Sequence, residues 1–154
     1  MRLGTKGRYA VVAMIDIVRN GQKGPVSLGE VAQRQQISLS YLEQLFAMLR
    51  RAGLVVASRG PGGGYRVQRP ASEITLGEVF RAVAETSGQV EGGRDWAAGP
   101  GAHVWAALDS HINDFLGTVS LADAAREQGP AKAADGDAGP DKSRPGLSAD
   151  AKLA

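Results

Sequence analysis

The sequence predicts a mainly α-helical fold with a small β-hairpin wing: a winged helix-turn-helix followed by a long C-terminal dimerisation helix. Three observations carry this. Two short helix signals lie close together in the first third of the chain. A pair of β-prone segments with a glycine-filled tip follows them directly. From His103 onward, apolar residues recur at the 3, 4, 3, 4 spacing of a helix that meets a partner helix.

The first helix is expected over Arg8–Val18. Tyr9, Val12, Ala13, Asp16 and Ile17 stand at helical spacing there, Val11, Met14, Ile15 and Val18 widen the apolar face, and Asn20-Gly21 stops the run. Ser27-Leu28-Gly29-Glu30 has the form of a capping box. The serine oxygen takes an orphan amide and the glutamate returns to the cap amide, so a second helix starts near Leu28 and runs to about Gln35. Ser40-Tyr41-Leu42-Glu43 reads as a second box, opening a third helix whose Leu42, Leu45, Phe46 and Leu49 form a core stripe ending at Ala52-Gly53. Only residues 36–39 separate the two helices, which is the helix-turn-helix arrangement.

Residues 54–59 and 65–68 flank Gly60-Pro61-Gly62-Gly63-Gly64, so a two-stranded hairpin with a glycine tip is expected. Thr75-Leu76-Gly77-Glu78 opens a fourth helix through Ala84. Residues 87–102, rich in glycine and poor in apolar side chains, read as a loop. Trp105, Leu108, Ile112, Phe115 and Val119 then form a narrow seam for a homodimer. From Gly129 the chain holds mostly Ala, Gly, Asp, Lys and Pro and is expected to stay disordered, because it cannot bury enough apolar surface to offset its ordering entropy. The expected division is a DNA-binding domain over 1–85, a loop over 86–102, a dimerisation helix with a short helix over 103–128, and a tail over 129–154.

At 154 residues the chain supports one modest core. Its net charge of +2 hides a division: residues 1–70 hold eleven Lys and Arg against three acids, leaving +8, whereas residues 71–128 hold three against nine, leaving −6. A basic module joined to an acidic one points to a polyanion partner for the first half, namely double-stranded DNA. No apolar run is long enough for a membrane span and no secretory signal is visible, so a cytoplasmic protein is expected. The absence of cysteine excludes disulfides and thiolate metal sites.

In a winged helix-turn-helix the second helix of the motif enters the major groove, its N-terminal residues meeting base edges. Those residues are Ser38, Ser40, Tyr41, Glu43 and Gln44. Glutamate accepts from the cytosine amino group, glutamine pairs with adenine, and serine suits several bases or a phosphate. Both Ser40 and Glu43 have a competing explanation in the capping box, and Ser40 reads more readily as a cap. Arg59 stands at the base of the wing, where Gly60 and Gly62 let the backbone approach the sugar-phosphate chain while the arginine reaches a minor groove. Lys6, Arg8, Arg50 and Arg51 suit phosphate contacts. The glycine tip is not a nucleotide-binding loop, since no Lys-Ser/Thr and no helix follow it. His103 and His111, eight residues apart on one helix, stand roughly 12 Å apart and cannot chelate one metal within a chain. No catalytic arrangement is visible, so an enzyme is not expected. A winged protein-binding adaptor that has lost DNA recognition is the alternative.

Met1-Arg2-Leu3, Lys6-Gly7-Arg8-Tyr9-Ala10, the run from Ile37 to Phe46, Gly53-Leu54-Val55 and the run from Ser58 to Tyr65 closely resemble the IscR-type winged-helix regulators of bacteria. The likeness is strong over 1–85 and weaker over 103–125. It implies a dimer built on the long C-terminal helix, DNA contacts through the helix near Ser40 and through Arg59, and control of iron–sulfur assembly genes. Members of that family usually hold a 2Fe–2S cluster on three cysteines, in one branch with a histidine, in the loop before the dimer helix. Here that loop holds Gly92, Gly93, Ala97, Ala98 and Ala102, and only His103 remains as a weak ligand candidate, one position from the family's histidine. No cofactor is therefore expected. A naturally clusterless regulator, replacement of the ligands, and an unusual site built on oxygen and nitrogen all stay open, with loss or replacement preferred.

Overall fold

The computed structural model describes residues 4–84 and 98–126. The expected structure of residues 1–3, of most of the 86–102 loop, of residues 127 and 128 and of the tail lies outside these.

The first helix, α1 (Thr5–Asn20), is longer at both ends than its apolar run. Its buried face is Gly7, Ala10, Ala13, Met14, Asp16 and Ile17. Tyr9 and Val12, expected on that face, are exposed instead. Nine apolar residues in the eleven from Arg8 to Val18 leave the inward direction ambiguous, and the tight approach of Phe80 decides it: its ring lies so close to Gly7 that a Cβ there would overlap it.

Ser27 caps α2 (Leu28–Gln35) through the expected box, with both reciprocal bonds formed to Glu30. Gln36 then turns the chain in the left-handed region at φ 54° and leads into α3 (Leu39–Arg51). The cap of α3 differs from expectation. Ser38, not Ser40, is the N-cap, and its Oγ accepts from the Tyr41 amide at 3.4 Å. Ser40 lies inside the first turn, its hydroxyl 3.0 Å from that of Ser38. Two serines at alternate positions offer the same local signal, and buried Ile37 sets the register by drawing the turn inward.

The wing forms as expected from β1 (Val55–Ser58) and β2 (Gly64–Val67), antiparallel, with Ser58 opposite Gly64. Val26 joins the edge of β2 as a single antiparallel bridge, through two hydrogen bonds with Tyr65. A side chain at Gly64 would strike the Val26 carbonyl, so glycine is required for this close pairing. Tyr65 packs edge-on against Phe46 at 4.9 Å, fastening the wing to α3.

Beyond the wing, a single 3₁₀ turn over Ala71–Glu73 leads into α4 (Leu76–Val83), which carries the expected Thr75–Glu78 box. Then come α5 (Ala102–Thr118) and the short α6 (Leu121–Ala125), capped by a box between Ser120 and Asp123. The Leu76 amide donates to Val119 and the Leu121 amide to Ile74, so the chain after α5 returns beside the start of α4. The core joins Met14, Ile17, Val31, Leu42, Leu45, Phe46, Leu49, Val55, Ile74, Val79, Val83 and Leu121. Burying these twelve side chains, each contributing roughly 1.5–3 kcal/mol, is what holds a motif whose sheet has two short strands among the described residues. Leu116 is the single buried residue of α5.

Candidate nucleic-acid interface

The helix-turn-helix is held by one charged cluster. Asp16, almost wholly buried on α1, accepts from Arg34 through Nε at 3.0 Å and Nη2 at 2.6 Å, from Gln35 at 2.7 Å, and from Asn20 at 3.3 Å. Burial alone would push its carboxyl upward, but the hydrogen bonds from Arg34, Gln35 and Asn20 together with the Arg34 charge hold it below its ordinary 3.8. This cluster sets the C-terminal end of α2, and therefore the turn from which α3 departs.

On α3, Leu42, Leu45, Phe46 and Leu49 face the core. The opposite face, formed by Leu39, Ser40, Glu43, Gln44, Ala47, Arg50 and Arg51, is exposed along the whole helix. Glu43 makes no capping bond, because the box falls on Ser38 and lacks a partner three residues into the helix. Its carboxylate is thereby available on the exposed face. Tyr41 is half-buried and stacks edge-to-face with Tyr9 of α1 at 5.7 Å. This contact fixes the start of α3 against α1 and brings exposed Arg8 to the same end of the motif. Lys6 is half-buried and engaged within the protein. Sequence reasoning passed over Tyr9 as a core residue and did not consider Leu39; their exposure is the signal that separates them from the core leucines.

Arg50 and Arg51 close α3, with Arg51 Nε donating to the Ala47 carbonyl at 3.4 Å. Arg59 is exposed at the start of the wing tip. Gly60 and Gly62 adopt φ of 93° and 73°, and the Gly63 amide donates to Gly60 at 2.9 Å to close the tip. Residues with side chains rarely take up these angles, so the glycines keep the tip thin as well as closed.

The candidate dimer surface is α5. Trp105, Leu108 and Phe115 are exposed at 44%, 48% and 63%, Val104 joins them at 54%, and Ile112 is half-buried. Val119 does not extend this stripe. It is the C-cap of α5, in extended conformation, and its carbonyl takes the Leu76 amide. The seam spacing continues one step beyond the helix itself, because Thr118 ends it.

For the iron–sulfur group implied by the resemblance, the donor set does not fit. The chain has no cysteine, and among the described residues no group of three or more potential ligands stands together. Ala98 is exposed before α5, Ala102 is the first residue of α5, and His103 follows it, exposed. Among the described residues no helix is long and apolar enough to cross a membrane.

Comparison with known proteins agrees with this architecture. Residues 3–127 match the Rrf2 family, described as an iron-dependent transcriptional regulator. The HTH-type transcriptional regulator IscR of Photobacterium profundum is 46% identical over 132 residues, covering 82% of this chain and 77% of that protein. The solved structure of T. potens IscR superposes with a TM-score of 0.68 at 36% identity, covering 88% of this chain and 94% of that one. CymR, the global cysteine regulator of B. subtilis, gives 0.66 at 34% identity over 81% and 96%. The chain thus belongs to the Rrf2 family and is a DNA-binding transcription regulator of the IscR type, not an enzyme.

Proposed function

We propose that the chain acts in the cytoplasm as a homodimer on a two-fold-symmetric DNA site and controls iron–sulfur assembly or related stress genes without a thiolate-bound cluster. Each protomer places α3 in the major groove and its wing on the flanking minor groove, so half-sites are spaced by about one helical turn, ~10 base pairs. The observation that carries this is the exposed α3 face, polar at Ser40, Glu43 and Gln44 and cationic at Arg50 and Arg51, set beside a glycine-tipped wing bearing Arg59. Glu43 and Gln44 read bases, Ser38 and Ser40 reach a base edge or phosphate, and Arg8, Arg50 and Arg51 neutralise the backbone. Lys6 adds positive charge nearby, and Tyr41 positions the start of the helix. Trp105, Leu108, Ile112 and Phe115 supply the dimer contact. The resemblance supports the choice of target genes, and the lack of cysteine supports the cluster-free state.

Selection of binding sites from random duplex DNA at two salt concentrations tests the reading. Recovery of a two-fold-symmetric site with steep salt dependence is expected. A folded dimer that enriches no sequence would overturn it in favour of a protein-binding adaptor.

A further inference from the structure

Four leucines lie on α3, and one of them is misplaced by the ordinary logic of a soluble surface. Leu42, Leu45 and Leu49 are 0% exposed, whereas Leu39 is 46% exposed and lies outside the core cluster. It is the first residue of the helix, directly after the Ser38 cap, flanked by the exposed hydroxyls of Ser38 and Ser40. Its packing within the protomer therefore gives little reason for a large aliphatic side chain there.

The geometry of α3 supplies one. Leu39 and Glu43 are four residues apart, so they share one exposed stripe with their Cβ atoms about 5–6 Å apart, and Leu39 leads toward the helix N-terminus. The N-terminal residues of a recognition helix are those that meet base edges. The major groove presents one apolar group to such a side chain, the C5 methyl of thymine.

We infer that Leu39 is a specificity-determining residue that packs on a thymine methyl in each half-site, one to two base-pair steps of ~3.4 Å from the base that Glu43 addresses. The inference rests on the regulator reading. It adds to the polar readout a contact that excludes water from a single base pair, and it assigns the exposed leucine a partner of matching chemistry.

Deoxyuridine lacks only the C5 methyl, so it separates this contact from every hydrogen bond at the same base pair. In the site recovered by selection, each thymine is replaced in turn by deoxyuridine, and affinity is measured for the native chain and for Leu39→Ala and Leu39→Met. The native dimer is expected to lose about three- to fivefold at one thymine per half-site, the effect of one buried methyl. Leu39→Ala abolishes the difference between thymine and deoxyuridine at that position alone, and Leu39→Met retains most of it. Equal losses in the native chain and Leu39→Ala, or no methyl-sensitive position in the native chain, would overturn the inference while leaving the regulator reading intact. Absence of specific binding by the native chain overturns both. Because Leu39 is half-exposed at a helix start and alanine is a good helix former, the variant is expected to fold.

Discussion

Arg34 on α2 and Asp16 on α1 form a two-point contact, Nη2 to Oδ1 at 2.6 Å and Nε to Oδ2 at 3.0 Å, in which the carboxylate is buried and the guanidinium reaches solvent. The asymmetry determines what each partner's removal does. Without Arg34 a buried carboxylate keeps only Gln35 and Asn20, whereas without the Asp16 charge the guanidinium can still be hydrated.

Arg34→Met is accordingly expected to cost about 3 kcal/mol of folding stability, and Asp16→Asn about 1–2 kcal/mol, in chemical denaturation at neutral pH. The pH dependence has a definite sign. Because the folded Asp16 carboxyl lies below its ordinary 3.8, its contribution is fully present above that value and is lost as pH falls through the lower folded one. Asp16→Asn should therefore flatten the acid limb of the stability profile below about pH 4. An unchanged limb would show that the cluster does not govern acid unfolding.

The cap of α3 separates two serines that look alike in sequence. Ser38→Ala removes the bond to the Tyr41 amide and should cost about 1 kcal/mol. Ser40→Ala should leave stability within about 0.5 kcal/mol, as for an ordinary surface position, yet weaken DNA binding. Thermal unfolding and binding titrations on both variants measure this, and equal stability losses would return the capping role to Ser40.

With no capping bond to Glu43, substitution there reports on base recognition alone. Glu43→Ala is expected to relax the preference at one position in each half-site with little change in overall affinity. Arg50→Ala or Arg51→Ala should weaken binding to all sequences and reduce the salt slope by about one. Site selection repeated with each variant distinguishes the two behaviours, and a uniform loss for Glu43→Ala would remove it from base readout.

Much of this was legible in the sequence because its signals are local. The boxes at Ser27 and Thr75, the hairpin and the glycine tip depend on a few neighbouring residues, and each formed where it was expected. Tyr9 and Val12 were misplaced because the inward direction of α1 is set by Phe80, over seventy residues away in the chain. The role of Asp16 was hidden for a similar reason: at helical spacing it reads as one more position on a face, and only the approach of α2 makes it a buried charge with several donors. The exposure of Leu39 follows from a register set by Ile37 and Ser38, which the repeated serines leave undecided.

The last prediction concerns α5, where exposed apolar surface exceeds what the protomer can use. Of its seventeen residues Leu116 alone is buried, while Val104, Trp105, Leu108 and Phe115 stand open. Covering side chains of this size contributes roughly 1.5–3 kcal/mol each, enough to drive association against its entropic cost when two copies pair. A charge placed in the middle of the seam would be buried without a partner. If the native chain is the proposed dimer, Leu108→Glu is expected to yield a folded monomer in sedimentation at concentrations where the native chain sediments as a dimer. Because each protomer then binds one half-site alone, affinity for the two-fold site should fall by 10²-fold or more, while affinity for an isolated half-site stays close to that of a native protomer. Retention of the dimer by Leu108→Glu would place the subunit contact elsewhere, and loss of half-site binding together with dimerisation would mean that α5 pairing also orders the DNA-binding end.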